Sequence, residues 1–235
     1  MTMLSIIQDV ADRVGIPRPT SVTSSTDQQI RQLFSLLNEE GSELSKRGDW
    51  QGLTAEWTFT TTESTIQTNS PIPPDLDRFI SDSFFNRTQV RKLIGPITPQ
   101  EFQRIQAQPV YNKVYLSFRE RRGQIMISPP PPDGNLIAYE YVSAYWAASS
   151  TGTAKEAFTA DDDTTYLPEN IMKMGLRWRW KHAKGLDYAE DMDTYERAAT
   201  KALANDGGMR ALDVAGDEIP YALWGANIPE TGYGR

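Results

Sequence analysis

The apolar positions of this chain change period twice. Leu4, Ile7, Val10, Ala11 and Val14 recur at helical spacing, and Gly15, Pro17 and Pro19 close that segment. A Ser/Thr-rich connector covers 20–26. Ile30, Leu33, Leu37, Gly41 and Leu44 then fall three and four residues apart, with Phe34 and Leu36 beside them. Arg31, Gln32, Asn38, Glu39, Glu43 and Lys46 take the other side. The pattern predicts an amphipathic helix over 27–47, capped by Asp27 or Thr26 and closed by Arg47 and Gly48.

At Trp50 the period shortens to two. Residues 53–69 alternate and are rich in β-branched and aromatic side chains, until Pro71, Pro73 and Pro74 interrupt them. Residues 91–95 read as a short strand. Thr98, Pro99 and Glu101 form the opening of a short helix, with the cap, the first-turn proline and the acid three residues after the cap. Residues 113–128 read as a hairpin turning near Arg122–Gly123. Pro129–Pro132 and Asp133–Gly134 make a stiff second turn. The strand after it places Ile137, Tyr139 and Tyr141 on one side.

Helical spacing returns at Pro168. One helix is predicted over 169–185 and a second over 187–206. In the second, Tyr188, Met192, Tyr195, Ala199 and Ala202 form a seam, and Asn205 to Gly208 stop it. The expected fold is therefore α+β. N-terminal helices (1–52) and C-terminal helices (166–208) meet in one bundle, and a β-rich domain (53–148) is inserted between them. A polar loop (149–165) and an extended tail (209–235) complete it. Leu33, Leu37, Trp178 and Tyr195 are expected to pack the bundle or a subunit contact. Ile219, Tyr221, Leu223 and Trp224 make the tail more aromatic than a solvated linker requires, so the tail is expected to dock on a partner.

Composition narrows the chemistry. The chain has 235 residues, 39% of them hydrophobic, with a mean hydropathy of −0.52, enough for a substantial core. No run of about 18 apolar residues is present, so no membrane-spanning helix is expected. The first residues lack the basic start and long apolar run of a signal peptide. There is no cysteine and one histidine, His182, which removes thiolate chemistry and multi-histidine metal sites. A net charge of −7 is the wrong sign for gripping phosphates along a whole surface. The phosphate-loop, dinucleotide, nucleophile-elbow and zinc-protease motifs are absent. No cofactor is expected.

The remaining clusters each have an ordinary reading beside the chemical one. Asp161, Asp162 and Asp163 suggest calcium, but a calcium loop starting at Asp161 would need Gly and Glu where Tyr166 and Met172 stand. A solvated acidic loop is expected instead. Glu39, Glu40 and Glu43 could pair for glycoside hydrolysis, or could form a solvated helix face. Arg47-Gly48-Asp49 spells an integrin-type tripeptide but sits at a helix stop. Asn86-Arg87-Thr88 matches a glycosylation acceptor, which matters only in a secreted chain. Arg177, Trp178, Arg179, Trp180, Lys181 and Lys184 could bind nucleic acid. On a helix, Ile171, Met174 and Trp178 would instead share a core face with Trp180 elsewhere. The cations would flank that face and pair with Asp187, Glu190 or Asp191. His182 reads as a hydrogen-bonded structural residue.

Two segments in combination resemble a known family. The first is IRQLFSLLNEEGSELSKRGDW followed by LTAEWTF, a helix with a charged stop running into a strand. The second is LPENIMKMGLRWRWKHAKGLDYAEDMDTYERAATKALANDGG, a Leu-Pro-Glu helix start, a basic aromatic stretch and an acidic helix ending at glycine. Over 26–60 and 166–212 the chain resembles the head-to-tail adaptors of short-tailed phages, the tail tubular protein A family. The proline-interrupted stretch 76–105 is similar to phage neck proteins as well.

The resemblance implies a structural, non-enzymatic virion protein. It would form a ring, usually of twelve copies, between the portal protein and the tail nozzle protein, with genomic DNA passing through without specific binding. Residues 219–224 would then be candidates for portal docking. Two other classes stay open: a peptidoglycan-cleaving tail component, marked by a cleft with facing carboxylates, and a host- or carbohydrate-binding module, marked by aligned exposed aromatics.

Overall fold

The computed structural model describes residues 1–69, 71–107 and 116–207. Four helices build the bundle: α1 (Met3–Val14), α2 (Gln28–Ser45), α4 (Glu169–Ala183) and α5 (Ala189–Asp206), while the short α3 (Pro99–Ala107) lies in the β region. The helix ends follow the sequence signals. Thr2 accepts from the Ser5 amide at the start of α1, and Gly15 closes that helix in the left-handed conformation. Asp27 caps α2 by accepting from the Gln29 amide at 2.8 Å. The Glu101 amide donates to Thr98 at the start of α3.

Between the helical ends lies a sheet organised by one strand, β7 (Leu136–Ser143). β1 (Thr54–Thr60) runs antiparallel along its whole length, from Thr54 opposite Val142 to Thr60 opposite Leu136. On the other side β7 pairs with β2 (Leu76–Phe79) and then with β3 (Phe85–Asn86), and β3 pairs with β4 (Arg91–Lys92). A separate hairpin, β5 (Ser117–Arg121) and β6 (Gln124–Ser128), turns through Arg122 and Gly123, both at positive φ.

The segment expected to be a polar loop holds part of a second small sheet. β8 (Ala147–Ala148) pairs with β9 (Ala154–Lys155) and with β10 (Thr164–Thr165). Two-residue strands carry no readable period, so the alternation rule cannot find them. The 91–95 strand divides its pairing: Arg91 and Lys92 ladder with β3, while Ile94 turns to the other side and bridges Ser117 of β5.

Two main cores result. Ile6, Ile7, Leu33, Leu37, Leu176, Tyr195 and Trp146 are among the residues that fill the bundle. Phe59, Phe84, Phe118, Ile127, Ile137 and Tyr139 are among those that fill the sheet side, where the Phe84 ring stacks on Tyr139 at 4.2 Å and on Phe118 at 3.8 Å. Tyr139 donates to the Pro71 carbonyl, and Tyr141 and Ser143 donate to Asp75, which ties the proline-rich segment to the central strand.

Two glycines set how closely the helices approach. A Cβ on Gly41 of α2 would stand 2.3 Å from the Trp146 indole, and one on Gly175 of α4 would stand 2.2 Å from the Glu40 carboxylate. Gly41→Ala and Gly175→Ala are therefore expected to destabilise the chain by about 1–3 kcal/mol each, through overpacking. Gly207→Ala, where a Cβ meets nothing within 4 Å, is expected to stay within about 0.5 kcal/mol. Urea midpoints of the three variants check this; equal midpoints would mean that the close approach is not what the glycines serve.

Candidate functional site

The most heavily constrained cluster joins α2, α4 and α5. Glu40 on α2 is fully buried, not part of a solvated helix face. It is tolerated because each oxygen has a partner: Arg179 Nε donates to Oε2 at 2.7 Å, and the Tyr195 hydroxyl donates to Oε1 at 2.6 Å. Arg179 is buried as well, and its remaining nitrogens reach Glu39 at 2.9 Å and Glu43 at 2.5 Å. One guanidinium thus binds three carboxylates spaced along a single helix face. Planar, multidirectional donation of this kind is what arginine provides and lysine does not.

Burial raises the Glu40 carboxyl above its ordinary value, and the bonds from Tyr195 and Arg179 oppose that rise. Burial pulls the Arg179 guanidinium down, but Glu40 and Glu43 outweigh it and raise it overall. The Tyr195 hydroxyl is pushed up by burial and by the neighbouring carboxylate. A carboxyl raised by burial resembles a general acid. Here, however, it lies sealed under Arg179 and Tyr195, and Glu39 and Glu43 bind the same arginine rather than face a substrate.

A second ion-pair layer surrounds the first. Arg47 makes a two-pronged bond to Glu196, both contacts at 2.7 Å, and lies over the Tyr195 ring at 5.0 Å. The Arg47 bond holds Glu196 below the usual carboxylate range. Lys173 pairs with Asp9, which joins α4 to α1. The Arg47-Gly48-Asp49 tripeptide is absorbed into the fold: Gly48 sits against Leu203, and Asp49 pairs with Arg78 of β2.

The structure redistributes several sequence expectations. Leu33, Leu37 and Tyr195 are buried, while Trp178 is half-buried between Tyr188 and Tyr195. The inward face of α4 comprises Ile171, Met172, Gly175, Leu176, Arg179 and Trp180, so Trp180 is core and Met174 and Trp178 are marginal. The shift arises because α4 contacts α1, α2 and α5 together, so its buried surface is broader than one stripe. The cations of the basic aromatic stretch are engaged within the chain. Arg177 and Lys181 both pair with Asp191, Arg179 is enclosed, and Lys184 lies over the Trp180 ring at 4.4 Å. His182 is exposed and meets Tyr188 edge-on at 4.8 Å instead of through a hydrogen bond.

The acidic 161–163 segment is also not a solvated loop. Asp163 is fully buried and accepts from the Thr159 and Ala160 amides and from Lys155. Asp161 accepts from the Val22 and Thr23 amides, and the Met3 amide bonds the Asp163 carbonyl. Burial alone would raise both carboxyls, but these donors outweigh it and hold them low. Among the described residues, no group of three or more His, Asp or Glu side chains is placed to hold a metal ion. Asn86 is buried, which removes it as a glycan acceptor. Most described ring-bearing residues of the β region are core, and among its described exposed large apolar residues only Phe85 carries a ring. The aligned platform a carbohydrate module would need is therefore missing from the described residues. Ile219, Tyr221, Leu223 and Trp224 lie outside the described residues.

Two concave surfaces of the described residues lie along α5. One of about 400 Å³ is lined by Glu196, Arg197, Thr200, Lys201 and Ala204, and another of about 260 Å³ by Arg47, Trp50, Ala199, Thr200 and Leu203. Neither is lined by the Glu39, Glu40 and Glu43 carboxylates.

Arg179→Met is expected to destabilise the chain by about 3–5 kcal/mol, because it leaves a buried carboxyl without its cation. Adding Glu40→Leu is expected to return much of that loss, measured as a double-mutant cycle in urea. The pH dependence has a definite sign. In Arg179→Met the folded Glu40 keeps its proton to higher pH than in the unfolded chain, near 4.5. The deficit is then small below that value and grows as pH rises through the folded pKa, so it is larger at about pH 7 than at about pH 4. Asp161 and Asp163 act oppositely: their stabilisation is complete above the unfolded value of 3.8 and is lost as pH falls through their lowered values. Asp163→Asn is expected to flatten the acid limb of an unfolding titration.

A search of curated proteins finds no match to this chain. A family model described as SU10 adaptor protein matches residues 1–222. The match takes in both helical ends and the whole β region, and so extends beyond the 26–60 and 166–212 segments that carry the resemblance in sequence. The chain belongs to the SU10 adaptor protein family, the structural adaptors of phages.

Proposed function

We propose that the chain is a head-to-tail connector of a tailed phage. In this reading its copies form a ring, of about twelve by family resemblance, between portal and tail nozzle proteins in the virion neck, and DNA passes through the hole. The observation that carries the reading is the family match over 1–222, which spans both ends of the bundle. The geometry supports it. The carboxylates that could have served hydrolysis are consumed in the Arg179 cluster, and the bundle is cross-braced by buried ion pairs. Twelve copies at −7 would carry −84. A lumen lined by part of that charge repels phosphates and lets DNA slide.

Portal docking through residues 209–235 would give a route to stepwise assembly, since a docking segment separate from the bundle does not require the ring to close first. Negative-stain microscopy of the purified chain, alone and mixed with the portal from the same virus, is expected to show rings or a portal thickened by one layer. A monodisperse monomer that ignores the portal would overturn the connector reading. Deleting 209–235 is expected to weaken portal binding while leaving the thermal unfolding midpoint unchanged. Unchanged portal affinity would assign docking to another surface.

A further inference from the structure

Charge is partitioned unevenly along this acidic chain. Residues 97–128 hold five Lys or Arg and two Asp or Glu, a net of +3, so the rest of the chain carries −10. That basic segment is α3 and the β5–β6 hairpin. Phe102 and Ile105 of α3 pack with Met126 of β6, which braces the hairpin from one side. At its tip Arg121 and Arg122 are exposed, and neither forms an ion pair among the described residues. Arg104, exposed on α3, forms none either. Arg13 and Arg31 of the bundle are likewise exposed without an ion pair among the described residues, but only in 97–128 do such arginines lie in a segment of net positive charge braced as one unit.

A complementary surface lies on the corner between α4 and α5. Leu186 and Met192 there are 55% and 39% exposed, large apolar side chains left open at the surface. Asp187, Glu190 and Asp193, also exposed, lie beside them in sequence, and the segment 186–193 contains no Lys or Arg, with Lys184 two residues before it. Among the described residues Asp193 pairs only with Arg197 one turn away, a solvent-exposed contact of little strength. An apolar centre inside a charged rim is the make-up of an interface. Arginine suits it on both counts, because its stem covers apolar surface while its head meets carboxylates.

We propose that the β5–β6 hairpin tip of one copy docks on the α4–α5 corner of the next, with Arg121 and Arg122 over Leu186 and Met192 and against Asp187, Glu190 and Asp193. The inference rests on the connector reading and assigns its subunit contact. Two different surfaces on one chain make a heterologous contact, the kind that closes rings. It also answers a physical difficulty. Copies of charge −7 repel at long range, and a local meeting of opposite charge supplies attraction and register where they touch. A DNA backbone is the other anionic surface a basic hairpin could meet. The acidic corner on the same chain, with exposed apolar residues that phosphates would not need, favours a second copy.

The absence of cysteine makes the test clean. Arg122→Cys and Met192→Cys, combined in one full-length chain and assembled on the portal, are expected to cross-link through a short bis-maleimide into a ladder that ends at the ring number. Arg121→Glu with Arg122→Glu is expected to weaken assembly about tenfold or more, and Glu190→Arg with Asp193→Arg added to restore most of it. Rings that form normally but do not cross-link would overturn this contact while leaving the connector reading intact. Double-charge variants that assemble normally yet retain less duplex DNA would reassign the hairpin to DNA. Failure of the unmodified chain to assemble even with the portal would overturn both readings.

Discussion

A buried carboxylate must be paired, and in this molecule that requirement organises three helices at once. Glu40 sits at the centre of the bundle, and its two oxygens can be satisfied only if α4 brings Arg179 and α5 brings Tyr195 to the same point. Gly175 has no side chain because the Glu40 carboxyl occupies that space. A similar complementarity holds one residue on, where Gly41 admits the Trp146 indole. An all-apolar core could slide between registers. A cluster in which one guanidinium meets three carboxylates has far fewer satisfactory arrangements, and we read it as the device that fixes helix register.

This rigidity suits a structural protein. A connector gains nothing from a solvent-filled cleft, and the described surface offers shallow grooves on α5 instead. The N-terminal helices are stitched to the later elements of the bundle: the start of α1 bonds the 161–163 segment, Lys173 reaches Asp9, and Arg47 holds Glu196. The sheet joins the bundle through the same economy, with Arg78 of β2 gripping Asp49 and the Gly48 carbonyl at the end of α2.

Net charge and local charge describe different properties of this protein. A total of −7 concerns solubility and the long-range repulsion of phosphates. Which surfaces touch is decided by charges left over after internal pairing. The pairing engages most of the basic aromatic helix, and the β5–β6 tip and the α4–α5 corner are two of the surfaces that keep charge with no ion pair among the described residues.

The sequence alone determined the succession of helical, β-rich and helical regions, the amphipathic helices, their caps, the Arg122–Gly123 turn and the family resemblance. Each of these depends on local spacing or on backbone conformations that particular residues favour. Only the tertiary structure decided which polar residues go inside. Glu40 and Glu39 are adjacent on one helix and look equivalent in sequence, yet one is sealed and the other is half in solvent. Arg179 looks like a flank beside Trp178 until α1, α2 and α5 enclose α4 from three directions. Asp163 reads as surface until the amides of Thr159 and Ala160 fold over it. Burial of a charged group depends on partners far away in the chain, and no local period carries that information.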